Sequence, residues 1–348
     1  MSVVPVAAIL FEPGPGVKRA SSPGRAASRY GPGMNEDPDK AVATVVRDCL
    51  GVRPNEDVLV VCNPATQVLG EALRAEAEAI GAEAVLAVMS ERDSHAGEPP
   101  ATVAEAMAAA DVLLAPTVQS LSHTAARKRA SESGTRTATL PGATVEMLAR
   151  VMSDDMDNLR RRGGRVAEIL DHGIEARITC DHGSDLRLGL AGRTAIPDAG
   201  ELTHEGAFGN LPCGEGFISP ATAEGILIVD GSIAGVGLVS EPVRLTIESG
   251  HLIDASGPEG EQLMALLTVH GPDGTNVAEL GIGTNEKAIL TGNILEDEKI
   301  IGTAHVAFGA SAAIGGKVQV PVHLDVVSLR PEVTVDGTPV VLEGRLLV

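Results

Sequence analysis

Between residues 57 and 141 short apolar runs alternate with stretches of helical periodicity. The runs are DVLVVCN (57–63), AEAVLAVM (82–89), DVLLAP (111–116) and TRTATLP (135–141). Between them lie helical patterns at 66–80, ended by Gly81, at 101–110, and at Ser122–Ser133, closed by Gly134. Strands that take turns with helices predict an open parallel sheet with helices on both faces. Residues 143–172 also read as helical. After them the period shortens. EARITCDHGSDLRLGLAGR (175–193) predicts a hairpin turning at Gly183, residues 225–257 are strand-rich with glycine turns, and the segment from Lys317 onward predicts three or four more strands. One helix is expected at 258–269. The fold class is therefore α/β: an amino-terminal open parallel α/β sheet domain (34–145) and a carboxy-terminal β-rich α+β domain (146–348). Residues 13–33 are rich in Pro, Gly, Ser and Arg, which is linker composition, so 1–33 is expected to be a flexible extension.

The last long apolar segment breaks its own pattern. Val318, Val320, Val322, Leu324 and Val326 alternate with Gln319, Pro321, His323, Asp325 and Val327. Side chains two apart in a strand share a face, so one face is aliphatic and the other carries His323 with Asp325. Taken alone, such a pair is ordinarily a polar side turned to solvent. GTAHVAFG (302–309) places His305 in a similar alternating segment. Two histidines and an aspartate on neighbouring strands suit a divalent metal such as iron(II) or zinc. Two glutamates stand in comparable isolation: Glu215 between glycines in NLPCGEGFISP (210–220), and Glu279 beside Gly-x-Gly in AELGIGTN (278–285). Either could be an exposed turn residue. Glycines also let backbone approach a metal or substrate closely, with the carboxylate left to bind an ion or act as base.

Composition narrows the chemistry. Four cysteines without C-x-x-C spacing argue against a disulfide framework or a thiolate zinc site and fit a reducing cytoplasm. The formal net charge of −20 and the near-absence of aromatics exclude phosphate backbones, stacked bases and anionic membranes as expected partners. The apolar run near the amino terminus is far shorter than the roughly 20 residues a membrane span needs. No G-x-G-x-x-G or P-loop is present, so no nucleotide is expected.

GNLPCGEGFISP, AELGIGTN, GTAHVAFG and VPVHLD, in this order and spacing, resemble the thermophilic-type metallo-aminopeptidase family, which includes aminopeptidases T and S. The resemblance spans residues 35–345. It implies a homodimer and two divalent metals (zinc, cobalt or manganese) held by Glu279, His305, His323 and Asp325. Glu215 would then be the general base and a possible bridging ligand. Ala312 stands where that family carries a tyrosine, and the one tyrosine here, Tyr30, lies in the linker. The same fold is similar to 2,5-dihydroxypyridine 5,6-dioxygenase, which implies a single iron(II) held by the H-x-D pair and one further histidine, either His305 or His270. SLSHTAARKRA (120–130) looks like a shared segment, in which His123 either reaches the site as an acid/base or starts its helix. The leading expectation is a hydrolase that releases amino-terminal residues from small peptides. The alternatives are a ring-cleaving dioxygenase acting on a hydroxypyridine-like molecule and a metal-binding protein without turnover.

Overall fold

The computed structural model describes residues 36–348. The expected extension at 1–33 lies outside them. The alternating segments form a five-stranded parallel sheet in the spatial order Glu83–Val88, Asp57–Cys62, Val112–Ala115, Arg136–Thr139 and Phe208–Asn210. The two central strands are buried on both faces, which is why they read as unbroken apolar runs. Helix Gln67–Ile80 packs on them and ends at Gly81, whose φ of 100° is a left-handed cap open to glycine. Helix Ala125–Glu132 begins at Thr124, whose hydroxyl accepts a hydrogen bond from the Arg127 N–H. The fifth strand comes from far along the chain. A cut at residue 145 would leave the parallel sheet without it.

Residues 143–172 form two helices, Val145–Val151 and Met156–His172. The break falls at Ser153–Asp155, where the Asp155 carboxylate accepts from the Asp157 and Asn158 N–H groups and starts a new helix.

The remaining strands build two antiparallel sheets. One has eight strands and contains the expected hairpin Glu175–Thr179 with Asp185–Gly189. The other has seven and runs through Glu215–Ile218, Val277–Gly283, Ala304–Gly309 and His323–Ser328 as neighbours. They share one core with the long helix: Val166 and Leu170 from the helix, Ile178, Leu186, Leu227 and Leu245 from the first sheet, Leu280, Ile282, Val306, Phe308 and Val326 from the second. A buried side chain of this kind contributes about 1.5–3 kcal/mol. That face of the second sheet offsets what it costs to hold carboxylates on the other. Among the described residues no helix is long and apolar enough to cross a membrane.

The strand expected from residue 318 begins at His323. Residues 318–322 instead close back on Ser311, with the Ser311 N–H donating to the Val318 carbonyl. Pro321 has no N–H to give a ladder, which stops the strand from extending backwards.

Candidate metal centre

Strand period and register assemble the site. In Val277–Gly283, Ala304–Gly309 and His323–Ser328 the residues that alternate with the core point to the opposite face: Glu279, His305, His323 and Asp325. A bulge between Val277 and Glu279 sets Glu279 opposite Ala307, which in turn faces Asp325. Glu279 and Asp325 thus lie in one row across three strands. His305 pairs with Gly281, and a Cβ at Gly281 would fall 2.0 Å from His305 Nε2. The G-I-G segment is not a turn but the end of this buried strand, and Gly281 lets the imidazole lie across it towards Glu215, which pairs with Gly283 one strand further on.

All five residues singled out in the β-rich half come together. His305 Nε2 is 2.9 Å from Glu215 Oε2 and 3.5 Å from Glu279 Oε1. His323 Nε2 is 3.4 Å from Glu279 Oε2 and 3.7 Å from Asp325 Oδ1. Three overlapping groups have the spacing to hold a cation: Glu215, Glu279 and His305; Glu279, His323 and Asp325; Glu298, His305 and Asp325. No one of these groups contains both histidines. Glu279, His305 and Asp325 each belong to two of them, so the expected set of two histidines and an aspartate is spread over a larger cluster. His323 Nδ1 donates to the Ala310 carbonyl at 2.8 Å, which turns Nε2 towards Glu279 and Asp325.

Three members of the cluster had no counterpart among the expected site residues. The Lys299 ammonium is fully buried and pairs with Glu215, with Glu298 at 2.8 Å and with Asp198 at 3.3 Å. Glu298 and Lys299 follow the short helix Ile294–Asp297, and Glu296, Asp297, Glu298 and Lys299 are all buried. A run of four charges reads as a solvated face, so periodicity gives no sign of it. Here Glu296 is taken by Arg150 at 2.8 Å, Asp297 accepts from the Thr291 and Gly292 N–H groups, and the other two enter the site.

The charges do not balance. Asp198, Glu215, Glu279, Glu298 and Asp325 face one ammonium and two imidazoles. Burial pushes Asp198 up to about 7 and Glu298 up to about 8, against the pull of Lys299. Burial also opposes ionisation of Glu215, but Lys299 and His305 outweigh it and hold that carboxyl at about 2. For His305 and His323 burial disfavours the imidazolium, yet Glu215 and Asp325 respectively draw both well above the ordinary histidine range. Carboxylates that draw protons onto buried imidazoles would equally favour a cation in the place of those protons. Glu215 Oε2 and His305 Nε2, though 2.9 Å apart, are not aligned for a hydrogen bond, and His305 Nδ1 has no partner either; all three atoms are buried. Orphaned donor and acceptor atoms of this kind, converging between carboxylates, fit a metal ion.

The cluster opens at His323 and Asp325 into a cavity of about 760 Å³. Its other wall is built at the carboxyl ends of the parallel strands, where ligands bind in open α/β sheets. His123 lies on that wall. Thr124 caps the helix, leaving His123 free to place its ring 5.8 Å from that of His323. Burial, with the charge of His323 second, lowers its pKa to about 4, so it is neutral near pH 7. His270 lies elsewhere: it follows helix Gly257–Thr268, its N–H bonds the Leu267 carbonyl, and it belongs to none of the three groups. Ala312 is exposed in the turn Ala312–Ile314.

The NicX family, described as 2,5-dihydroxypyridine 5,6-dioxygenase, matches residues 40–348. This chain belongs to that family. The 2,5-dihydroxypyridine 5,6-dioxygenase of Pseudomonas putida KT2440 is 26% identical over 258 residues, covering 70% of this chain and 72% of the relative. A solved structure of 2,5-dihydroxypyridine dioxygenase from the same organism superposes with a TM-score of 0.78 at 21% identity, over 89% of this chain and 97% of that one. Wild-type AmpT from Thermus thermophilus superposes with a TM-score of 0.67 at 19% identity, over 89% of this chain and 99% of that one. The likeness to AmpT is one of fold. The expected assignment to the aminopeptidase family gives way to the dioxygenase family, to which the same site residues are equally suited by type.

Proposed function

We propose that this protein is a metal-dependent dioxygenase that opens the ring of a hydroxypyridine-class aromatic. The observation that carries the reading is the group Glu279, His323 and Asp325, open on one side to a cavity whose facing wall holds a neutral histidine. Membership of the NicX family supports it. The donor set is imidazole and carboxylate with no thiolate, which suits a single iron(II). The chemistry such an ion supplies is activation of O₂ beside a ring oxygen. Both oxygen atoms enter the product across the carbon–carbon bond that breaks, so no external reductant is required.

The chain's own residues do the rest. His323 is locked by the Ala310 carbonyl with Nε2 turned inward. Lys299 keeps Glu215 anionic and holds the inner end of the cluster in place. A ring nitrogen of His123 takes the proton from the substrate hydroxyl as that oxygen turns towards His323 and Asp325.

One observation favours a second reading. Glu215, Glu279 and His305 form an inner group of their own, which would hold the second ion of a hydrolase. The two readings part in a single preparation. The dioxygenase reading expects one iron per chain, O₂ uptake with 2,5-dihydroxypyridine, and no cleavage of aminoacyl-p-nitroanilides. Two zinc, cobalt or manganese ions per chain with nitroanilide cleavage and no O₂ uptake would replace it by the hydrolase.

A further inference from the structure

The wall opposite the carboxylate cluster carries an amide whose oxygen is held and whose nitrogen has no partner among the described residues. Asn210 ends strand Phe208–Asn210 at the carboxyl edge of the parallel sheet, beside Thr139 at the end of the neighbouring strand. Its amide oxygen accepts from Thr139 Oγ1 at 2.7 Å and from Ser122 Oγ at 3.0 Å. Ser120 Oγ in turn donates to Ser122 Oγ at 2.8 Å. Ser122 Oγ and Thr139 Oγ1 also lie 2.8 Å apart, where either can be the donor; each hydroxyl has one proton to give, and with the Asn210 oxygen as the terminal acceptor every proton of the network is used. The other end of the amide, Nδ2, makes no hydrogen bond among the described residues, and Asn210 lines the cavity. A neutral N–H donor held this way is pre-organised for an acceptor on the ligand.

The same network places it relative to the cluster. Ser122 is followed by His123, whose ring lies 5.8 Å from that of His323. Asn210, His123, His323 and Asp325 all line the one cavity. A ligand that touches both ends needs an oxygen at each end of a small ring. The two oxygens of 2,5-dihydroxypyridine are para to one another and meet this demand. In water 2-hydroxypyridines take largely the pyridone form, in which the 2-oxygen is a carbonyl that only accepts.

We propose that Asn210 is a specificity-determining residue: its Nδ2 donates to the ring oxygen para to the hydroxyl that faces His323 and Asp325. This rests on the hydroxypyridine reading above. The site selects rings with a pyridone-type acceptor over those that lack it, because an analogue without that oxygen leaves this half-buried, pre-oriented amide donor without its ligand partner.

The test is anaerobic equilibrium dialysis of the metal-loaded protein with two probes. One is 2,5-dihydroxypyridine. The other is 3-hydroxypyridine, which keeps the hydroxyl meta to the ring nitrogen and lacks the para oxygen. The informative variant is Asn210→Asp, which keeps an acceptor for Thr139 and Ser122 and replaces the donor by a carboxylate oxygen; Asn210→Ala is the second variant. The wild-type protein is expected to bind the first probe on the order of tenfold more tightly than the second. In both variants that preference collapses, by loss of affinity for 2,5-dihydroxypyridine, while 3-hydroxypyridine binding by Asn210→Ala changes little. A preference that survives in Asn210→Asp, or an equal loss for both probes in both variants, overturns the assignment of Asn210 and leaves the dioxygenase reading standing. A wild-type protein that binds neither probe overturns the hydroxypyridine reading, and this inference with it.

Discussion

The two walls of the cavity come from different kinds of sheet and carry polarity in different ways. The antiparallel wall concentrates charge: five carboxylates on strands and turns whose other face is aliphatic core, only partly offset within the chain by one buried lysine and two histidines. The parallel wall stores none of that. Its polar groups are hydroxyls, an amide and a neutral histidine at strand ends, each satisfied by a neighbour or turned to the cavity. Buried charge in low dielectric is stable only when paired, so the first wall depends on each of its partners. Neutral hydrogen bonds have a net worth of about 1 kcal/mol each, so the second wall can shape a site without depending on any one of them.

The comparison breaks most readily at the charged wall. Asp325→Ala removes a carboxylate that two of the three cation-binding groups share. Loss of an outer partner of a metal ligand alone costs about 10–100-fold in affinity, so loss of a ligand should exceed that. Metal analysis by mass spectrometry after gel filtration should find the variant nearly empty and without turnover. Full metal content in Asp325→Ala would remove this wall from the proposed centre.

Next in size is Lys299→Met. Three carboxylates lose their common cation, and breaking a buried charge group by removing one member costs about 3–5 kcal/mol. Denaturant unfolding of the metal-free protein should register that loss. Added divalent metal should restore part of it, since the ion would share the same carboxylates. Equal stability of wild type and variant without metal would mean that the carboxylates are protonated and the wall holds no net charge.

The cluster and its lysine differ in how far they were readable beforehand. His305, His323, Asp325 and Glu279 each interrupt an aliphatic alternation, and strand period alone sets them on one face. Their convergence needs the register, which a bulge at Glu279 and the room above Gly281 determine; neither can be counted along the chain. Lys299 and Glu298 sit in a run of charge that by composition belongs outside, and Asp198 lies on an edge strand without any pattern. The parallel sheet was legible through four of its strands. The fifth, Phe208–Asn210, is three residues long and carries no period. The division between hydrolase and dioxygenase was not legible in the ligands, because imidazole and carboxylate serve both. The alanine at position 312 was the one local sign against the hydrolase.

His123→Gln tests where the walls meet. It should lower kcat about 10²–10⁴-fold, the usual worth of a positioned acid or base, with metal content unchanged. Metal loss in this variant would place His123 among the ligands and merge the two walls into one. Unchanged kcat would remove its proton role.

The smallest effect belongs to the neutral wall. Ser120 donates to Ser122 and accepts from the Ser122 N–H, and nothing charged depends on it. Ser120→Ala should cost about 0.5–1.5 kcal/mol of stability, the net value of one ordinary hydrogen bond. Ser122 still has Thr139 and Asn210 as partners, so the Asn210 amide keeps its direction and KM should shift only a few-fold. Thermal unfolding and steady-state kinetics on one preparation report both. A loss approaching that of Lys299→Met would mean that the hydroxyl chain acts as a unit, as coupled as the carboxylates it faces, and the contrast between the walls would then lie in charge alone.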